Sequence, residues 1–73
     1  MKTVLQVIAQ NIRIHRARHG WSQEVLAELS GVHRNQVGHI ERCEHAISVI
    51  MLDKLAKGLE VPITDLLIDS YQE

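Results

Sequence analysis

The chain has no phenylalanine and carries only Trp21 and Tyr71 as aromatic residues, so its core must be built from aliphatic side chains. Cysteine is almost missing as well. Cys43 has no second cysteine to pair with, which excludes an internal disulfide and makes the cytoplasm the expected setting. No run approaches the roughly 18–20 consecutive apolar residues of a membrane span. The stretch from Met1 to Gln10 lacks the long apolar centre and small-residue cleavage site of a signal peptide. An excess of charge of one sign is absent too. Eight basic and nine acidic residues give −1 at pH 7, so the chain as a whole is not a basic nucleic-acid binder.

What is present is an ordinary globular composition, 45% hydrophobic and 23% charged over 73 residues, sufficient for one small domain. A chain of this size buries only about 60% of its unfolded surface, so self-association is a natural support. The even charge balance hides an asymmetry. Residues 1–45 carry Lys2, Arg13, Arg16, Arg18, Arg34 and Arg42 against Glu24, Glu28, Glu41 and Glu44, six cations against four anions, net +2. Residues 46–73 carry Lys54 and Lys57 against Asp53, Glu60, Asp65, Asp69 and Glu73, net −3. All five histidines lie in the first part. The opposite signs predict a binding end and a separate end.

Hydrophobic spacing is helical throughout, and strand alternation is missing. Leu5, Ile8, Ile12 and His15 or Arg16 recur at three- and four-residue steps, which predicts a first helix from about Thr3 to Arg18, stopped by Gly20. Ser22 is placed to cap a second helix whose apolar stripe is Val25, Leu26 and Leu29, and Gly31 ends it. A third helix is predicted over His33–Arg42, with Val37 and Ile40 inward, and a loop follows from Cys43 to Ile47. Ser48 caps a fourth helix over Val49–Lys57, with Leu52, Leu55 and Ala56 inward and Leu59 just past its end. Pro62 suits the first position of a fifth helix carrying Ile63, Leu66 and Leu67. The expectation is an all-α, compact five-helix domain occupying residues 1–73.

The segment from Ser22 to Glu41 is the informative one. Two short helices meet at Gly31, where a positive φ is easily adopted, and Ala27 four residues earlier lets them approach closely. This is the spacing of a helix-turn-helix over about residues 22–42, whose second helix enters the DNA major groove. An αα-hairpin inside some other bundle has the same spacing. Ile12-Arg13, Arg16, Gly20, Ser22-Gln23-Glu24, Leu26-Ala27, Gly31-Val32, Ile40-Glu41-Arg42, Leu52, Leu55-Ala56, Leu59 and Leu66 add further positions in a specific order. Together they resemble the Cro/repressor-type helix-turn-helix family, also called XRE-type, over about residues 8–67. The length and the segment from Ile47-Ser48 to Leu67 also resemble restriction–modification controller proteins, which are small dimeric members of that family. Cro-like repressors of phage or mobile elements are a close alternative. The resemblance implies five helices, DNA binding and transcriptional control. It also implies a structural salt bridge between Arg16 and Glu41, joining the first helix to the end of the third.

Side-chain chemistry then assigns roles. Arg34, Asn35 and His39 share a face of the third helix, with Gln36 at its edge. Arg34 has the paired donors for guanine O6 and N7, and Asn35 the donor and acceptor for adenine. Gly38 is expected to let backbone and DNA come close. Gln23, Ser22, Arg18 and Arg42 are the candidates for phosphate, with Lys2 a further one. His19, His33 and His45 reach phosphate best when protonated. Glu24 or Glu28 is the candidate contact for RNA polymerase.

Several positions depart from the family. His15 stands where leucine is usual and Cys43 where glycine is usual, so either the turn at Cys43 is strained or the loop differs from the family's. Pro62 replaces a capping serine. Ile50 and Met51 are apolar where the family is polar, on the outer face of the fourth helix. With Ile47, Val49, Ile68 and Tyr71 they predict an apolar patch and a symmetric homodimer, with reader helices about 34 Å apart on a near-palindrome. His15 with His19, and His39 with Cys43 and His45, have pairwise metal spacing but form no four-ligand set, so no metal or other cofactor is expected. No catalytic constellation or phosphate-binding glycine loop is present, so the chain is not expected to be an enzyme. The rival to a DNA-binding regulator is a protein-interaction module or antitoxin reusing the fold.

Overall fold

The computed structural model describes residues 1–44 and 46–69. His45 and Tyr71, named above, therefore lie outside the described residues. Four α-helices follow in order: α1 (Val4–His19), α2 (Gln23–Ser30), α3 (Arg34–Glu41) and α4 (Val49–Leu59). The expected fifth helix is instead a single 3₁₀ turn, Ile63–Leu66. Its bonds close at i+3: Asp65 N donates to Pro62 O at 2.9 Å and Leu67 N to Thr64 O at 3.0 Å. Four residues without a side-chain cap cannot sustain α-helical propagation. The turn is held by the burial of Leu66 and by Asn11, whose Nδ2 donates to the Ile68 carbonyl at 2.9 Å.

Each helix starts where a side chain relieves an unpaired backbone N–H. Thr3 Oγ1 accepts from Gln6 N while Gln6 Oε1 accepts from Thr3 N, a reciprocal cap on α1. Ser22 and Ser48 cap α2 and α4 by accepting from Val25 N and Met51 N. α3 is capped by His33, whose Nδ1 accepts from Asn35 N at 3.1 Å. Gly31 closes α2 at φ +74°, the left-handed conformation that lets α3 turn sharply away. Cys43 also sits at positive φ, +58°, in the turn after α3.

Ile8, Ile12, Leu26, Val37, Leu55, Leu59 and Leu66 form the aliphatic core. Leu59 lies within α4 rather than past its end. The face of α2 differs from the expected stripe. Leu26, Ala27 and Ser30 are buried, whereas Val25 and Leu29 are exposed. The small residues turn inward because α4 packs very close: a Cβ placed on Gly58 would fall 2.0 Å from Ser30 Oγ. Among the described residues no helix is long and apolar enough to cross a membrane.

His15 is half-buried on α1, and burial is the main reason its ring is harder to protonate than an ordinary imidazole. Arg18 adds to that effect, Asp65 opposes it, and His19 again lowers the value. Folding therefore favours the neutral ring. The stabilisation is complete above the ordinary value of 6.5 and is lost as pH falls through the lowered value in the fold. The melting temperature of the wild type should fall more between about pH 7 and about pH 5 than that of His15→Leu. Parallel pH profiles for the two proteins would contradict this.

Candidate nucleic-acid interface

α2 and α3 together frame an open groove lined by Gln23, Glu24, Arg34, Asn35, Gly38, His39 and Arg42. α3 presents Arg34, Asn35 and Gln36 to solvent, while Val37, Gly38, Ile40 and Glu41 are buried. Thus Arg34, Asn35 and His39 line one groove. Gln36 lies toward a neighbouring hollow with Ile40, Ala46 and Met51, and its Oε1 accepts from His33 N at 3.0 Å. Gly38 lines the groove, with the Arg42 side chain lying over it. Its absent side chain makes room for Arg42, whose Nη1 would stand 3.1 Å from a Cβ there.

The groove is anchored from behind by Glu41, which is 3% exposed. Its carboxylate accepts from Arg16 Nε at 2.7 Å, Arg16 Nη2 at 3.0 Å and Gln23 Nε2 at 3.0 Å. Arg16 also donates to the Trp21 carbonyl at 2.9 Å, tying together α1, the α1–α2 turn and α3. The hydrogen bond to Glu41 holds the Arg16 guanidinium above its already high ordinary value, so the charge is permanent. Arg13 Nη1 donates to the backbone carbonyl of the same glutamate.

Arg34, His39 and Arg42 at the groove mouth each meet a carboxylate. Arg34 Nη1 donates to Glu24 Oε1 at 2.8 Å, across the turn between α2 and α3. His39 Nδ1 donates to Glu44 Oε1 at 2.7 Å, and Arg42 Nη2 lies 3.1 Å from the same oxygen. The hydrogen bond from His39, reinforced by Arg42, keeps the Glu44 carboxyl below the ordinary carboxylate range. The sequence offers Glu24 or Glu28 as a polymerase contact and carries no mark of Glu44. Their partners lie on other elements or beyond a turn, and helical periodicity carries no signal for that. Glu28, like Glu24, is exposed on α2.

The phosphate candidates divide in the same way. Ser22 caps α2, and Gln23 gives one amide hydrogen to Glu41. Arg18 is exposed near the end of α1, and Arg42 lies over Gly38 at the groove. Lys2 lines a separate hollow with Arg13, Glu41 and Arg42, bonded to Gln10 and 3.4 Å from Asp69. His19 is occupied otherwise: its ring stacks on Trp21 at 3.9 Å between centroids, and Nε2 donates to the Leu59 carbonyl at 3.1 Å. His33 is the cap of α3.

At the other end, Val49 and Ile50 are 76% and 72% exposed and Ile68 is 53% exposed. Ile47 and Met51 pack partly against the chain's own core. Among the described residues no group of three His, Cys, Asp or Glu side chains is placed to hold a metal ion.

The HTH_3 helix-turn-helix family matches residues 12–66. The control protein C.SmaI of Serratia marcescens is 39% identical over 64 residues, spanning 88% of this chain and 76% of that protein. The crystal structure of the restriction–modification controller protein C.AhdI from Aeromonas hydrophila superposes with a TM-score of 0.81 at 39% identity, covering 85% of this chain and 94% of that one. The crystal structure of the hypothetical transcription factor NHTF from Neisseria gives 0.88 at 36% identity, over 90% and 76%. Among curated relatives, the chain spans 58% of a hypothetical transcription factor of Neisseria meningitidis and 36% of the Escherichia coli regulator SutR.

Proposed function

Because this chain belongs to the HTH_3 helix-turn-helix family, we propose that it is a DNA-binding transcriptional regulator of the controller-protein kind, reading an operator with α3 in the major groove. The observation that carries the reading is the side-by-side placement of Arg34, Asn35 and His39 along an open groove, on a helix fixed from behind by the buried Glu41. A guanidinium, a carboxamide and an imidazole supply the donors and acceptors that distinguish base edges, and a major groove is wide enough to admit an α-helix such as α3. Arg42, Arg18, Gln23 and Ser22 flank this face as contacts to phosphate, which set register rather than sequence. Gln36, committed to the α3 cap, acts at the margin of the reading face.

Selection of bound duplexes from a random pool tests this reading. It should return one preferred site, and affinity for it should fall steeply with salt. Arg34→Ala should then lose about 10- to 100-fold on that site and relax the preference at one base pair, consistent with about 1–3 kcal/mol for a bidentate contact. Absence of duplex binding would point instead to an interaction module or antitoxin on the same fold.

We further propose that two copies associate through Val49, Ile50 and Ile68, the exposed apolar residues of α4 and the following segment, and so bind a near-palindromic site. Ile47 and Met51 extend this patch while also filling the chain's own core. The double substitution Val49→Ser with Ile50→Ser leaves that core intact. It should shift the sedimenting species toward monomer and weaken operator binding as a consequence. An unchanged dimer would place the interface elsewhere.

A further inference from the structure

We propose that Glu24 and Glu44 are specificity-determining residues, each holding one edge of a base-reading side chain and so restraining that side chain from indiscriminate contact with phosphate. The inference rests on the reading of α3 given above. Glu24 takes a single donor of Arg34, Nη1, at 2.8 Å. Nε and Nη2 lie outside that contact, and a guanidinium grips guanine with two donors. Arg34 can thus keep Glu24 while it reads a base. To meet a phosphate on the flank of the groove it must swing away and give Glu24 up. Glu44 acts alike on His39. A carboxylate only accepts, so the 2.7 Å contact places a proton on Nδ1 and makes Nε2 the ring's remaining polar atom. The same carboxylate oxygen lies 3.1 Å from Arg42 Nη2, so one acid restrains a reader and a phosphate contact together.

The electrostatics favour this role over simple support of the fold. Both pairs are open to water: side-chain exposure is 63% and 69% for Arg34 and Glu24, and 40% and 46% for His39 and Glu44. Ion pairs so exposed contribute little to stability. Yet they stand at the mouth of the groove where the strongest negative potential of a duplex arrives, and there a carboxylate opposes every non-specific approach. The two acids lie toward opposite ends of α3, one before it and one after. Orienting contacts at both ends tax any docking in which the readers leave their places, and tax little the docking in which they stay.

The test compares the wild type with Glu24→Gln, Glu44→Gln and their combination on two duplexes: the site selected by the wild type and a scrambled duplex of equal length. Glu28→Gln, an exposed α2 residue, supplies the same change of charge without touching a reader. Each groove variant should bind the scrambled duplex about two- to fivefold more tightly. Its salt slope on that duplex should steepen by up to about 1. Binding to the selected site should not tighten, so the specificity ratio drops, and the double variant should drop it by about tenfold. Equal tightening on both duplexes, or a Glu28→Gln protein that matches the groove variants, would overturn the proposal while leaving α3 as the reader. A wild type that selects no duplex would overturn both.

Discussion

Replacing Glu41 with alanine should destabilise the domain by about 3 kcal/mol or more, the cost of breaking a buried ion pair by removing one partner. Glu41 is 3% exposed, and its two oxygens receive three hydrogen bonds from Arg16 and Gln23. Without it, the Arg16 guanidinium faces the interior with no counter-charge, and it cannot escape by losing a proton. The Arg16 side chain keeps 22% of its exposure, so water relieves part of the penalty and the low end of the range applies. A domain of this size holds roughly 4–11 kcal/mol in total, so the loss should appear as a large drop in the urea midpoint with little change in slope. Replacing both partners together, Arg16→Met with Glu41→Leu, removes the stranded charge and should cost less than Glu41→Ala alone. A Glu41→Ala protein within about 1 kcal/mol of wild type would show that the pair is not the brace between α1 and α3 that its geometry indicates.

Gly58→Ala is the second substitution with a large expected effect, about 2–3 kcal/mol. The new methyl carbon would stand 2.0 Å from Ser30 Oγ, 3.0 Å from its Cβ and 3.1 Å from its Cα. Rotating the hydroxyl relieves the first contact but not the others, because the Ser30 Cα is fixed in α2. The helices must move apart, and α2 carries the helix-turn-helix with it. Alanine's better helix propensity returns only about 1 kcal/mol. Ser30→Ala in the Gly58→Ala background should recover part of the loss, since Ser30 Oγ is also buried without a hydrogen-bond partner. Thermal melts of the single and double variants measure this. A Gly58→Ala melting temperature at or above that of wild type would refute the close α2–α4 contact.

Those two sites also mark what the sequence discloses and what it withholds. Capping serines at Ser22 and Ser48, the turn at Gly31 and the long stripe of α1 are local signals, and the helices begin and end within about two residues of the expected places. The orientation of α2 is different. Eight residues make barely two turns, so Val25, Leu26 and Leu29 define one plausible inner face and Leu26, Ala27 and Ser30 another. The choice is made by Gly58, nearly thirty residues away, which admits only the small face. Pro62 begins an α-helix and a 3₁₀ turn equally well, which is why the last element was expected to be longer. At the groove, Arg34, Asn35 and His39 are legible because they share one helix. The carboxylates that hold Arg34 and His39 are not, because Glu24 and Glu44 reach them across turns. Asn11 was missed for a related reason: a polar residue on an apolar stripe reveals its role only when its partner, the Ile68 carbonyl, is seen.

In the function proposed above, the Arg34, Asn35 and His39 face of α3 meets base edges in the major groove. Methylation protection on the selected duplex tests it most directly, because dimethyl sulfate attacks guanine at N7, an atom that lies in that groove. Protected guanines are expected in two clusters about one helical turn apart, with protection at one guanine in each cluster lost in Arg34→Ala. Bound protein that leaves every guanine N7 as reactive as in free DNA, or an Arg34→Ala footprint identical to that of the wild type, would contradict it.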